Sequence, residues 1–127
     1  MCSARQGISG WAGAIDCLPV PAYALDVEGR VIAWNEPLSR LGGVRRDEMV
    51  GRVGGVHAVP FIGKEGLMLA DLVLAPVLPA PDHLIGVDRD GSTTAALLSA
   101  PALGPARQLR VLASPIMADD QCVGAIE

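Results

Sequence analysis

The segment from Ala22 to Asn35 limits what this chain can fold into more than any other. Two short apolar runs, Ala22-Tyr23-Ala24-Leu25-Asp26 and Arg30-Val31-Ile32-Ala33-Trp34-Asn35, flank Val27-Glu28-Gly29. Glycine tolerates the positive φ of a tight reversal, so the stretch predicts a β-hairpin. Side chains alternate along a strand. If Leu25 pairs near Val31, then Tyr23, Leu25, Val31 and Ala33 share one face, and Ala22, Ala24, Ile32 and Trp34 share the other. Asn35 stands where a helix N-cap belongs, and Pro37 fits the first turn. Gly42-Gly43 stops that helix after Leu38 and Leu41.

Upstream, Ile8, Trp11, Ile15 and Leu18 recur at spacings of three and four, the pattern of a short helix over 8–18. Two glycines weaken it, and Pro19 and Pro21 end it. Downstream, residues 46–50 read as one helical turn closed by Gly51, and Arg52 to Ile62 as a Gly/Val-rich loop. Glu65 to Leu74 is apolar nearly all round and predicts a buried helix. Pro76, Pro79 and Pro81 make 75–82 a connection. The stretch 83–100 is ambiguous, with a turn at Asp90-Gly91 and a strand over Thr93 to Ser99. Gln108 to Met117 and Cys122 to Glu127, around Ala118-Asp119-Asp120, predict a second hairpin. The sum is an α+β domain: a five-stranded antiparallel sheet with short helices between strands two and three covering one face. Residues 1–18 form an N-terminal helical segment and 19–127 the domain proper.

Composition narrows the class. In 127 residues, half are hydrophobic, 19% are charged and four are aromatic, enough for one core and too apolar for a disordered tail. The net charge is −4 and Lys64 is the single lysine, so no nucleic-acid partner is expected. Cys2, Cys17 and Cys122 are an odd, widely spaced set, which fits reduced thiols better than disulfides or zinc. Asp16 and several Gly and Pro residues interrupt the apolar region from Gln6 to Leu25. No spanning helix, signal segment or membrane contact is expected, and the reading is cytoplasmic.

The order of elements and a set of short motifs resemble a PAS domain, the sensory module of bacterial signalling proteins. They are Ile15-Asp16-Cys17-Leu18-Pro19, Leu25-Asp26-Val27-Glu28-Gly29-Arg30-Val31-Ile32-Ala33-Trp34-Asn35, Leu41-Gly42, Glu48-Met49-Val50-Gly51 and Val123-Gly124-Ala125-Ile126-Glu127. Pro60-Phe61-Ile62-Gly63 and Leu69-Ala70-Asp71-Leu72-Val73-Leu74 are similar to a variety seen in sensor histidine kinases. The resemblance spans 15–127, weakest over 75–100. Two positions depart from it: Arg45 replaces the usual Ser or Thr cap, and Gln121 replaces a hairpin glycine.

The resemblance implies a cleft between helices and sheet, with Tyr23, Leu25, Val31, Ala33, Leu41, Phe61, Leu72 and Val111 as candidate lining. Asp71 joins them because one carboxylate in an apolar run must reach solvent, an arginine or a ligand. Flavin-binding relatives carry a Gly-x-Asn-Cys-Arg-Phe motif that is missing here, and Cys17 and Cys122 read as packed small hydrophobes. Haem-binding relatives use a histidine on the long pocket helix. His57 falls before that helix and His83 after it, so both read as surface or capping residues. No cofactor, metal or catalytic residue is expected, and the domain alone is not expected to be an enzyme.

The expected role is a sensor that binds a small ligand or partner and relays the change to a C-terminal effector such as a histidine kinase. The alternative is a dimerisation or docking module without a ligand. A redox domain bearing a cofactor is the third class. Ile8, Trp11, Ile15, Leu18, Ile32 and Trp34 are the candidate homodimer interface, unless the N-terminal segment folds back over its own sheet.

Overall fold

Asp26 builds the first turn. In the computed structural model, which describes residues 13–127, its Oδ1 accepts the N–H groups of Glu28 and Arg30, both at 2.9 Å. Gly29 follows at φ 80°. The turn joins β1 (Tyr23–Asp26) to β2 (Val31–Trp34). Asn35 then caps α1 (Glu36–Gly42), accepting from Leu38 N at 3.1 Å, and Gly43 closes the helix in the left-handed region. Next come α2 (Arg46–Met49), a 3₁₀ turn (Val56–Ala58), α3 (Val59–Ile62) and α4 (Leu69–Leu74). Four strands follow: β3 (Leu84–Asp90), β4 (Thr93–Ser99), β5 (Gln108–Ala118) and β6 (Gln121–Ile126). All six strands form one antiparallel sheet in the order β2-β1-β6-β5-β4-β3.

The architecture is the expected α+β one, with six strands instead of five. The extra strand is β3, which pairs with β4 across the Asp90-Gly91 turn. Its Gly86 has φ 64°, and Gly86 and Val87 together oppose Ala96 as a bulge, which blurs the alternation a sequence reading needs. The stretch from Arg52 to Ile62 is helical over 56–62 and not a loop. The helix expected over Glu65–Leu74 starts only at Leu69. Asp71 Oδ2 accepts Met68 N at 2.8 Å, fixing the helix start there, and Gly66 N donates to Gly55 O at 3.2 Å, tying the residues before the helix to the Gly55 turn. The final hairpin turns through Asp119 and Asp120 at φ 51° and 63°, a two-residue turn of the type that matches strand twist. This settles the turn without a glycine at Gln121.

The first hairpin carries the correction that matters most. Tyr23 pairs with Trp34, Ala24 with Ala33, and Leu25 with Val31, so Ile32 is an extra residue in β2. A one-residue bulge reverses the face of everything beyond it. Val31 therefore stays with Leu25 on the helix-covered face. Ala33 moves to the opposite face beside Ala24, and Trp34 moves inward to complete burial. On the outer edge of β2, Val31 N donates to Arg52 O at 2.9 Å and Gly51 N to Val31 O at 2.7 Å.

The inner face packs Tyr23, Leu25, Val31, Trp34, Leu38, Phe61, Met68, Leu69, Leu72 and Leu98 against the helices. A smaller cluster of Ile15, Ala22, Ala24 and Ala33 lies on the outer face, where a helical turn at 13–16 rests against the sheet. Arg46 holds that turn through Asp16 at 3.0 Å. Among the described residues no helix is long and apolar enough to cross a membrane.

Candidate functional site

The apolar floor of the inner face carries two polar pairs. Tyr23, on β1, tilts against Trp34 and His57 with ring centroids 5.7 and 5.5 Å away. Its hydroxyl donates to Glu127 Oε1 at 2.5 Å, and Ala70 N, in the first turn of α4, donates to the same oxygen at 2.7 Å. Burial pushes the Glu127 carboxyl up to about 7, against the lowering effect of those two hydrogen bonds. Burial first, and Glu127 second, hold the Tyr23 phenol well above its ordinary value. In the second pair, His57 Nε2 meets Asp71 Oδ2 at 2.7 Å, the oxygen that also caps α4. Four titratable side chains from β1, the 3₁₀ turn, α4 and the end of β6 thus converge beneath the sheet.

Asn35 ties this floor to the N-terminal segment. Its Oδ1 accepts from Ala22 N at 3.0 Å as well as from Leu38 N, and its Nδ2 donates to Val20 O at 2.7 Å. A single buried amide thereby fixes the helix start and the chain before β1 together.

Between that chain and β5 lies a cleft of about 650 Å³. Tyr23, Leu41, Phe61 and Val111, all expected lining residues, do line it. Leu25, Val31 and Leu72 are sealed within the inner cluster, and Asp71 is engaged by His57. Ala33 lies on the other face, for the reason the bulge gives. The sequence reading did not name Leu38, Met68, Leu98, Leu109, Arg110, Leu112 and Glu127, nor Leu18, Val20, Pro21 and Ala22, as lining. Glu127 pairs with a tyrosine 104 positions away, a contact that no local pattern marks.

The expected interface set divides in the same way. Ile8 and Trp11 lie outside the described residues. Ile15 is buried against the outer face and Ile32 packs beside it, so from residue 13 the segment folds back over its own sheet. Leu18 is 37% exposed at the cleft rim, whereas Trp34 is inside the core with its Nε1 donating to Val44 O at 3.2 Å. His57 is buried and not a surface residue. His83 is half-buried and donates to Leu67 O at 2.6 Å. Cys17 and Cys122 are exposed thiols, not packed ones. Among the described residues no group of three or more His, Cys, Asp or Glu side chains is placed to hold a metal.

The fold has known counterparts. The chain is similar to the PAS domain of BvgS from Bordetella pertussis, at 20% identity over 94% of this chain and 82% of that one, with a TM-score of 0.63. It is also similar to the PAS domain of an HTR-like protein from Haloarcula marismortui, at 13% identity over 96% and 95% of the two chains, with a TM-score of 0.50. No protein-family model matches the chain, and no curated protein sequence matches it. What these neighbours share with it is architecture, and the chain has the PAS-domain fold.

Proposed function

We propose that this domain is a sensor module whose cleft takes up a small ligand or a partner and whose sheet passes the change to a C-terminal effector such as a histidine kinase. The observation that carries this reading is the position of the cleft. It is lined at once by the chain leading into β1, by β5 and by Glu127 at the end of β6. An occupant that prefers one arrangement of these strands shifts the population toward it, and β6 leads that change out of the domain. The domain has no catalytic role of its own in this reading.

Native mass spectrometry of freshly purified protein tests the proposal. A co-purifying molecule, lost on filling the cleft by Val111→Trp, is the expected result. A protein that carries nothing and whose melting temperature does not respond to any small-molecule library argues for a docking module. With no flavin motif in the sequence and His57 held by Asp71, no absorbance band between about 350 and 600 nm is expected.

One observation favours the docking reading as a second choice. Ile85, Leu97 and Leu112 are 45%, 40% and 53% exposed in neighbouring strands on the outer face. A row of this kind fits an interface between two copies. Leu112→Glu should then turn a dimer into a monomer in sedimentation.

A further inference from the structure

Two carboxylates hold the first turn of α4, and they reach it from different parts of the chain. Asp71 Oδ2 accepts Met68 N at 2.8 Å from within the helix. Glu127 Oε1 accepts Ala70 N at 2.7 Å from the end of β6. β1 sets the aim of Glu127: Tyr23 N donates to Glu127 O at 3.1 Å, and Glu127 N to Tyr23 O at 3.0 Å. With Ile126 packed on the outer face, alternation along the strand turns the Glu127 side chain under the sheet. Its Oε1 there meets two uncharged donors, the Ala70 amide and the Tyr23 hydroxyl. The remaining titratable groups facing it are Asp71 from α4 and His57 from the 3₁₀ turn, bonded to each other at 2.7 Å. β5 adds no charge to this floor. Leu109 and Val111 pack there, and Arg110 between them turns to the outer face. Among the described residues no ion pair includes Glu127.

We infer that the Glu127 carboxyl is a proton-operated clasp between α4 and the end of β6, closed when protonated and open when ionised. A protonated carboxyl needs no counter-charge, and its carbonyl oxygen has two lone pairs, one for each donor. An ionised one adds a second negative charge against the turn that Asp71 already holds, beneath a sheet where charge is poorly solvated. Burial, helped by Asp71, outweighs Tyr23, Ala70 N and His57 and lifts the carboxyl to about 7. The closed form therefore binds the proton more tightly than any form in which the carboxyl reaches water. From about 4.5 to about 7, each unit of pH shifts the balance toward the open form by up to about tenfold. The ligand of this device is the proton, and what it moves is the contact between a helix and a strand. The clasp needs no occupant in the cleft.

NMR of the folded 127-residue chain tests this, with the Glu127 side chain followed through its own carboxyl carbon signal. The carboxyl should titrate at about 7, and cross-peaks between the Ala70 amide and the Glu127 side chain should fade with the same midpoint. Amidating the C-terminus, which leaves the side chain as the one carboxyl of residue 127, should not move that midpoint. Glu127→Gln, neutral and of the same shape, should keep the corresponding cross-peaks across the whole range. Tyr23→Phe keeps the ring but removes a donor that favours the charged form, so it should move the midpoint upward. A carboxyl that titrates at about 4.5, with or without the amide, would overturn the clasp. So would a contact that persists through the titration, or one whose loss follows the His57 ring signals and survives in Glu127→Gln. The cleft reading stands or falls separately, on the native mass measurement.

Discussion

The two faces of the sheet are built from different materials. The inner face holds the large side chains, Trp34, Tyr23, Phe61 and Leu72, together with the Tyr23–Glu127 and His57–Asp71 pairs. The outer face beside the N-terminal turn is mostly alanine, Ala22, Ala24 and Ala33, with Ile15 laid across it. Small residues let the turn lie close to the strands, and they leave little to lose by truncation and much to lose by enlargement. The inner face should therefore respond to deletion and to pH, and the outer face to crowding.

The largest effect expected from this contrast is at Trp34. Trp34→Ala removes a fully buried ring that touches Tyr23 and Phe61 and should lower stability by about 3–5 kcal/mol in urea unfolding. Retention of near-wild-type stability would put Trp34 outside the core. Ala33→Leu comes next. It overfills the outer cluster and should destabilise by about 1–3 kcal/mol, with cleft binding at saturating folded protein unchanged. Altered cleft binding without lost stability would contradict the assignment of Ala33 to the outer face. Asn35→Ala should cost about 1–2 kcal/mol, since it strips the cap from α1 and the tie from the segment before β1.

The last expected effect is a pH slope. The Glu127 carboxyl titrates at about 7 in the fold against an ordinary 4.5. Between these values the folded chain keeps a proton that the unfolded chain has released, so stability falls as pH rises through that window. The contribution of this group is fully favourable below about 4.5 and lost above about 7. Glu127→Gln should flatten the slope between pH 5 and pH 8, measured as the urea midpoint at each pH. An unchanged slope would place the titration elsewhere.

Much of the frame was legible because its signals are local. Asn35 announced a cap, Gly43 a stop, Asp90-Gly91 a turn, and each depends on a few adjacent residues. The bulge at Ile32 has no such mark. Val31-Ile32-Ala33-Trp34 fits either phase, and only the partner strand decides which residues turn inward. The candidate site shows the same division. Asp71 was conspicuous as a charge in an apolar run, but its partner His57 lies 14 positions away in a stretch that reads as a loop. Glu127 gave no signal at all, since an acid at a strand end is ordinarily solvated, and its burial arises from α4 packing across the sheet.

The two margins of the sheet have a consequence for how the protein behaves in crowded solution. A bare strand edge invites other chains to add on, and runaway addition is the route to aggregates. At one margin, Gly51 and Arg52 fold onto Val31 and use up its main-chain groups. At the other, β3 is bent by the bulge at Gly86 and ends in Asp88-Arg89-Asp90, charged side chains that a second sheet would have to bury. Both outer margins thus discourage stacking into fibrils, one by occupation and the other by shape and charge. A change that straightens and neutralises β3 would remove that protection at its own margin alone.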